Sequence, residues 1–223
     1  PISICALLLH GWEKFDQKPS DLSPWFDATF VPVEETNALL QSQTFRRFIK
    51  THAPFDGIPF NPHCTYIAVY RDPRDVFFSM GNHRENMGIA TADSGTSVSE
   101  QFRVWLERPA VDGENFRFSL EAITHHFLSY RRFESLPNVN LLHYSDMKRE
   151  PARAVRHIAG ILGVDIDENG IAAVVNQSSF DNMRKNADQF APDASLGLWK
   201  ENKQFFSRDR KSTRLNSSHQ IIS

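Results

Sequence analysis

The chain has 223 residues, 40% of them hydrophobic and 12% aromatic, and its 25 Lys and Arg against 27 Asp and Glu leave a net charge of −2. That is enough chain for one domain with a substantial core, and the near-neutral balance excludes a basic nucleic-acid surface. No apolar run reaches the length of a membrane span. Cys5 and Cys64 are too few for a disulfide framework or a zinc site, and both are expected as buried thiols in a reducing, cytoplasmic setting. The chain opens on Pro1 without an initiating Met, so a signal ahead of it is left open.

Ile2 to His10 is an apolar, Leu-rich segment with the length of a helix, stopped at Gly11 and the polar stretch W-E-K-F-D-Q-K-P-S. Leu22 to Phe30, with Ser23-Pro24-Trp25-Phe26, reads as a loop packed by aromatics, and Glu34 to Gln43 as a short helix. Phe45, Phe48 and Ile49 then predict a buried strand that ends in Lys50, Thr51 and His52. Tyr66 to Tyr70 predict a second, whose unbroken apolar run suits a central parallel strand covered on both faces. Arg71 follows at once. Asp72 as N-cap and Pro73 at the first helical position open a helix, and Ser79, two turns on, shares a face with the cap.

Gly81 to Ser99 is polar and rich in small residues, the end of a helix and then a loop that suits either a lid or an ordinary surface connection. Ser97 and Glu100 form a capping box for the next helix, which carries Phe102, Trp105 and Leu106. Asn115 to Phe133 is a long helical pattern. Its adjacent His125 and His126 point to different helix faces and make no metal pair, so no metal site is expected. Asn138 to Tyr144 is a further strand. Pro151 to Leu162, stopped by Gly163, is an amphipathic helix with Val155, Ile158, Ala159 and Leu162 inward, and Glu168 to Gln177 is another. Strands alternating with helices give the α/β class.

Ligands of open α/β sheets bind beyond the carboxyl ends of the strands, and a helix N-terminus there favours an anion. Arg71 adds a forked donor suited to phosphate, and Lys50 and His52 stand on the other strand end, so the region reads as a phosphate-binding corner. Taken singly these residues are ambiguous. Lys50 fits a solvated charge, His52 a hydrogen-bonded structural residue, and Arg71 a surface residue paired with Asp75. In combination they are specific: K-T-H at 50–52 and R-x-P-x-D-V-x-x-S from Arg71 to Ser79 resemble the sulfotransferase family, which moves a sulfuryl group from 3′-phosphoadenosine 5′-phosphosulfate (PAPS) to an acceptor.

The resemblance implies a three-layer fold with a largely parallel central sheet flanked by helices, like that of P-loop nucleoside kinases. It makes His52 the general base, a role that an imidazole suits because its ordinary pKa is near neutral. Lys50 becomes the stabiliser of charge on the bridging oxygen or the transferring group, and Arg71 and Ser79 hold the 3′-phosphate. Tyr144, in Y-S-D-M, matches a family segment whose Tyr contacts adenine; a tyrosine packed at a strand end is the alternative. Phe205-Phe206-Ser207-Arg208 is similar to the opening of the segment that clasps the 3′-phosphate, with Ser207 where an Arg usually stands and Arg208 as the remaining basic contact. No metal is required. The acceptor is expected to be a small molecule with a hydroxyl or an amine. Trp25, Phe55 and Phe60 suit an apolar or aromatic one, or belong to the core.

By the same resemblance residues 1–208 are one incomplete domain, with the phosphosulfate loop expected just ahead of Pro1 and the rest of the clasp after Arg208. Asp209 to His219 match, codon for codon, the translation of a common sequencing adapter, so residues 209–223 are expected to be foreign. Little or no sulfate transfer is expected from the 223-residue chain itself; the parent protein is the enzyme. Two rivals stand beside this reading. A nucleotide kinase-like phosphotransferase would need a G-x-x-x-x-G-K-[ST] loop and acidic magnesium ligands, neither visible in the chain. A nucleotide-binding remnant without turnover is the other. Oligomeric state is not legible.

Overall fold

The computed structural model describes residues 1–28, 31–89, 95–112, 115–116, 118–192 and 197–206. Helices α1 (Ile2–His10), α2 (Pro19–Leu22) and α3 (Val33–Ser42) precede strand β1 (Tyr66–Tyr70). Then come α4 (Pro73–Met87), α5 (Val98–Glu107), the two-residue strands β2 (Val111–Asp112) and β3 (Asn115–Phe116), α6 (Leu120–Arg131) and β4 (Val139–His143). Helices α7 (Tyr144–Arg149), α8 (Pro151–Leu162), α9 (Glu168–Gln177), α10 (Phe180–Lys185), α11 (Ala187–Phe190) and α12 (Asn202–Phe205) follow.

β1 and β4 pair in parallel, from Tyr66 opposite Val139 to Tyr70 opposite His143, and the period of two along a strand divides their side chains between two cores. Ile67 and Leu142 pack on Leu7, Leu8, Val155, Ile158, Leu162, Ile171 and Val174, supplied by α1, α8 and α9. Ala68 and Val139, with Tyr66, Tyr70 and Leu141 beside them, pack on Phe55 and Tyr130. Helices therefore cover both faces of the parallel pair, the three-layer α/β arrangement that the sequence implies.

Local capping sets the helix ends. Asp72 accepts from the Arg74 N–H at 2.9 Å and opens α4 with Pro73 behind it, and Gly88, at φ +71°, ends it in the left-handed conformation that glycine adopts without strain. Ser97 accepts from the Glu100 N–H at 3.2 Å at the start of α5. The C-terminal part is tied to the end of α4. The Asn86 carbonyl accepts from the Lys200 N–H at 2.8 Å, and the Asn86 side chain bonds both the N–H and the carbonyl of Glu201. Phe206 completes a third cluster with Ala187, Phe190 and Ala191.

Three expectations fail. Phe45 to Lys50 joins no strand ladder among the described residues. Its sheet-like contact is an isolated parallel bridge of Lys50 with Trp25, and Phe45 and Ile49 are exposed. An apolar run supplies a strand's side chains but not the neighbouring backbone that a ladder needs. The helix expected from Asn115 begins only at Leu120, because Asn115 and Phe116 pair antiparallel with Val111 and Asp112, and Ser119 caps α6 by accepting from the Ala122 N–H at 3.1 Å. Cys5 is buried as expected, but Cys64 is exposed, in the turn that precedes β1. No helix among the described residues is long and apolar enough to cross a membrane.

Candidate active site

Because β1 and β4 end side by side, Arg71 and Tyr144 leave the sheet together. The guanidinium carbon of Arg71 lies 5.1 Å from the centre of the Tyr144 ring, and its Nε donates to Asp75 Oδ2 at 3.4 Å. Asp75 is one turn into α4, so this contact steers the half-buried Arg71 along the helix toward the anion-favouring N-terminus. Arg74 is spent elsewhere. It meets the Asp72 carboxylate at 2.6 Å, and that hydrogen bond holds the carboxyl below its ordinary range.

Ser79 Oγ lies 3.4 Å from His83 Nε2, one turn further along α4. The His83 ring stacks on Phe205 at 4.7 Å and 24°, with Trp199 at 5.6 Å. Burial pushes the His83 imidazole below its ordinary pKa, followed by the positive charges of Arg71 and then Lys50. Both charges act in the same direction on this ring, favouring its neutral form. His83 Nδ1 is buried and finds no hydrogen-bond partner among the described residues. Buried polar atoms are rarely left so, and the orphan nitrogen fits a site that receives a polar ligand group.

Trp25 organises the other motif. Lys50 Nζ sits 4.4 Å from the indole centre, and the His52 ring meets the same indole edge-on at 4.6 Å. The Phe26 N–H donates to the Lys50 carbonyl at 2.9 Å, and the His52 N–H donates to the Asp27 carboxylate, 3.1 Å from Oδ1 and 3.0 Å from Oδ2. Thr51 supports the turn, its Oγ accepting from the Ala53 N–H at 2.9 Å. Helix α6 grips the segment that follows: Ser129 Oγ accepts from the buried Phe55 N–H at 2.8 Å and donates to the His126 carbonyl at 2.7 Å, and the Tyr130 hydroxyl donates to the Ala53 carbonyl at 3.4 Å. The His52 imidazole is pushed down to about 4, first by burial, then by Lys50, with Asp27 opposing and His126 adding to the drop. The residue as a whole is exposed, with its ring packed edge-on to the indole, and the direction of the shift is that of a ring neutral at neutral pH.

Ser129→Ala leaves the Phe55 N–H buried without an acceptor, a change that costs about 1–3 kcal/mol. The expected result is a lower midpoint in denaturant titration at an unchanged slope, together with faster amide exchange at residues 53–55.

The structure therefore brings Lys50 and His52 together on Trp25, and sets Arg71, Ser79 and Tyr144 along the end of the parallel pair and the first turns of α4. Arg208 lies outside the described residues. Of the aromatics, Phe55 is 4% exposed and packed among Tyr66, Tyr130 and Phe133, which makes it core and removes it from any acceptor surface. Phe60 is exposed and stacks on Tyr66. No group of three or more His, Cys, Asp or Glu gathers as metal ligands among the described residues. Sequence reasoning passed over His83 and Asp27. His83 was within reach of it, four residues after Ser79 on one face of a helix already identified; Asp27 carries no such local signal.

A family model described as a sulfotransferase domain matches residues 9–215. The chain is 32% identical over 217 residues to a glycolipid sulfotransferase of Mycobacterium tuberculosis, an alignment covering 85% of this chain and 67% of that protein. It is 29% identical over 145 residues to the luciferin sulfotransferase of Photinus pyralis, covering 63% and 36%. Among solved structures, retinol dehydratase in complex with androsterone and the inactive cofactor PAP has a TM-score of 0.71 at 15% identity, covering 98% of this chain and 75% of that one. A mouse sulfotransferase complexed with PAP has a TM-score of 0.63 at 20% identity, covering 86% and 65%. These structures share the fold. The chain spans about two thirds of the length of the glycolipid sulfotransferase and of the mouse enzyme. With the K-T-H and Arg–Ser motifs in place and the family model matched along most of its length, the chain belongs to the sulfotransferase family.

Proposed function

We propose that the protein carrying this chain transfers a sulfuryl group from PAPS to the oxygen of a small-molecule acceptor. The observation that carries this reading is the grouping of the motif residues, Arg71 with Tyr144 where the parallel strands end and Lys50 with His52 on the Trp25 indole. PAPS supplies the sulfuryl group when bound. Arg71 and Ser79 hold its 3′-phosphate, with Arg208 as a further basic contact, and Tyr144 offers its ring to the adenine. His52 takes the proton from the acceptor hydroxyl as the acceptor oxygen forms its bond to sulfur. Lys50 meets the negative charge that appears on the 5′-phosphate oxygen as the old sulfur–oxygen bond breaks. The acceptor approaches from the Trp25 side, and the likeness to a glycolipid sulfotransferase makes an amphipathic alcohol the first candidate. The same reading puts the protein in the cytoplasm, where thiols such as the exposed Cys64 stay reduced.

Two measurements test it: calorimetric titration of the chain with PAP, the desulfated form of the donor, and transfer of labelled sulfate from PAPS by the parent protein to a panel headed by a glycolipid and a simple phenol. Saturable binding of PAP, competition between PAP and PAPS, and a labelled sulfate ester are expected. Binding of ATP in preference to PAP, with no transfer from PAPS, would overturn the reading in favour of a phosphotransferase.

A further inference from the structure

Residues 25–27 run beside residues 50–52. The Trp25–Lys50 bridge is parallel, and the Phe26 N–H donates to the Lys50 carbonyl. A ladder of this kind continues with the next donor meeting a neighbouring carbonyl. Here the next donor, the His52 N–H, meets the side chain of Asp27 instead, with both carboxylate oxygens within 3.1 Å. The contact fixes the main chain of His52. It also sets a full negative charge where a ladder would offer a neutral carbonyl.

That charge acts on His52, His126 and Tyr130, the titratable groups gathered around it. At His52 it opposes Lys50 and His126, which both favour the neutral imidazole. His126 in turn faces His125, Asp56 and the Ala53 carbonyl. Resting on the reading of His52 as the general base, we propose that Asp27 is a positioning residue, holding the main chain of the base and setting a negative charge against the imidazolium that forms on it. The proton passes from the acceptor hydroxyl to an imidazole nitrogen, and Asp27 takes no part in the transfer. A carboxylate charge near an imidazole favours its protonated form even when its hydrogen bond goes to the main chain.

Three variants separate the two parts of the role. Asp27→Asn keeps an oxygen for the His52 N–H but removes the charge, Asp27→Ala removes both, and Asp27→Glu returns the charge on a longer arm. In the parent protein, Asp27→Asn is expected to lower kcat by about tenfold or more, with KM for PAPS unchanged and the acid limb of the pH profile moved to lower pH. Asp27→Ala should fall further, and Asp27→Glu should recover part of the loss. An Asp27→Asn enzyme with unchanged kcat overturns the proposal. A second readout needs no turnover: NMR titration of the His52 imidazole in the 223-residue chain, which should protonate at lower pH in Asp27→Asn, and an unmoved titration also overturns it. If that titration moves while the parent protein transfers nothing from PAPS, the link between Asp27 and His52 stands and the transferase reading falls.

Discussion

In the parent protein His52→Ala is expected to lower sulfate transfer by roughly 10²- to 10⁴-fold, the range lost with a general base, with binding of PAP unchanged. The separation is expected because the ring packs on Trp25, whereas the residues proposed to hold the nucleotide, Arg71 and Tyr144, pack on each other. The pH dependence has a definite sign. Burial and Lys50 depress the imidazole to about 4, so the base form predominates at every pH above that value, and the acid limb of kcat/KM lies well below the ordinary imidazole range. The same shift enters stability. In the unfolded chain His52 takes a proton near its ordinary value, so its contribution is fully present above that value and is lost as pH falls toward about 4. Turnover that survives the alanine variant removes His52 from the role of base, and an acid limb at the ordinary imidazole value would show a ring more open to water than burial beside Lys50 implies.

Arg71→Ala acts on the other half of the site. A charge-assisted hydrogen bond contributes about 1.5–3 kcal/mol, so PAP binding should weaken by roughly 10- to 150-fold, read by calorimetry on the chain itself. Arg71→Lys should restore little, since an ammonium lacks the planar fork that meets two phosphate oxygens together. Loss of the Asp75 contact contributes little, because partly exposed pairs of this kind are worth about 0–1 kcal/mol. Asp75→Ala is therefore the control, and a comparable loss there would shift the explanation from phosphate binding to the placement of Arg71.

Features whose cause is local were legible in the sequence. Asp72-Pro73, Ser97 with Glu100, and Gly163 mark helix ends through bonds made within one turn, and the structure has them as expected. The paired strands Tyr66–Tyr70 and Val139–His143 were legible because each is a short apolar run bounded by polar residues. The run from Phe45 misled because its own side chains cannot tell whether a neighbouring strand exists. The same limit hid Asp27, whose partner stands 25 residues away and is a backbone N–H with no identity of its own. Phe55 went undecided between core and acceptor surface until α6 was folded over it.

Helix α4 has its Asp72 cap beside Arg71 at one end and, at the other, Asn86 fastened to Lys200 and Glu201. Its 15 residues span about 22 Å, and they set the separation between the end of the parallel strand pair and the segment bearing Trp199, Phe205 and Phe206. One residue inserted or deleted between Ser79 and Asn86 would turn one end by about 100° relative to the other, swinging Asn86 away from Glu201 and unstacking His83 from Phe205. This helix therefore tolerates changes of residue far better than changes of length.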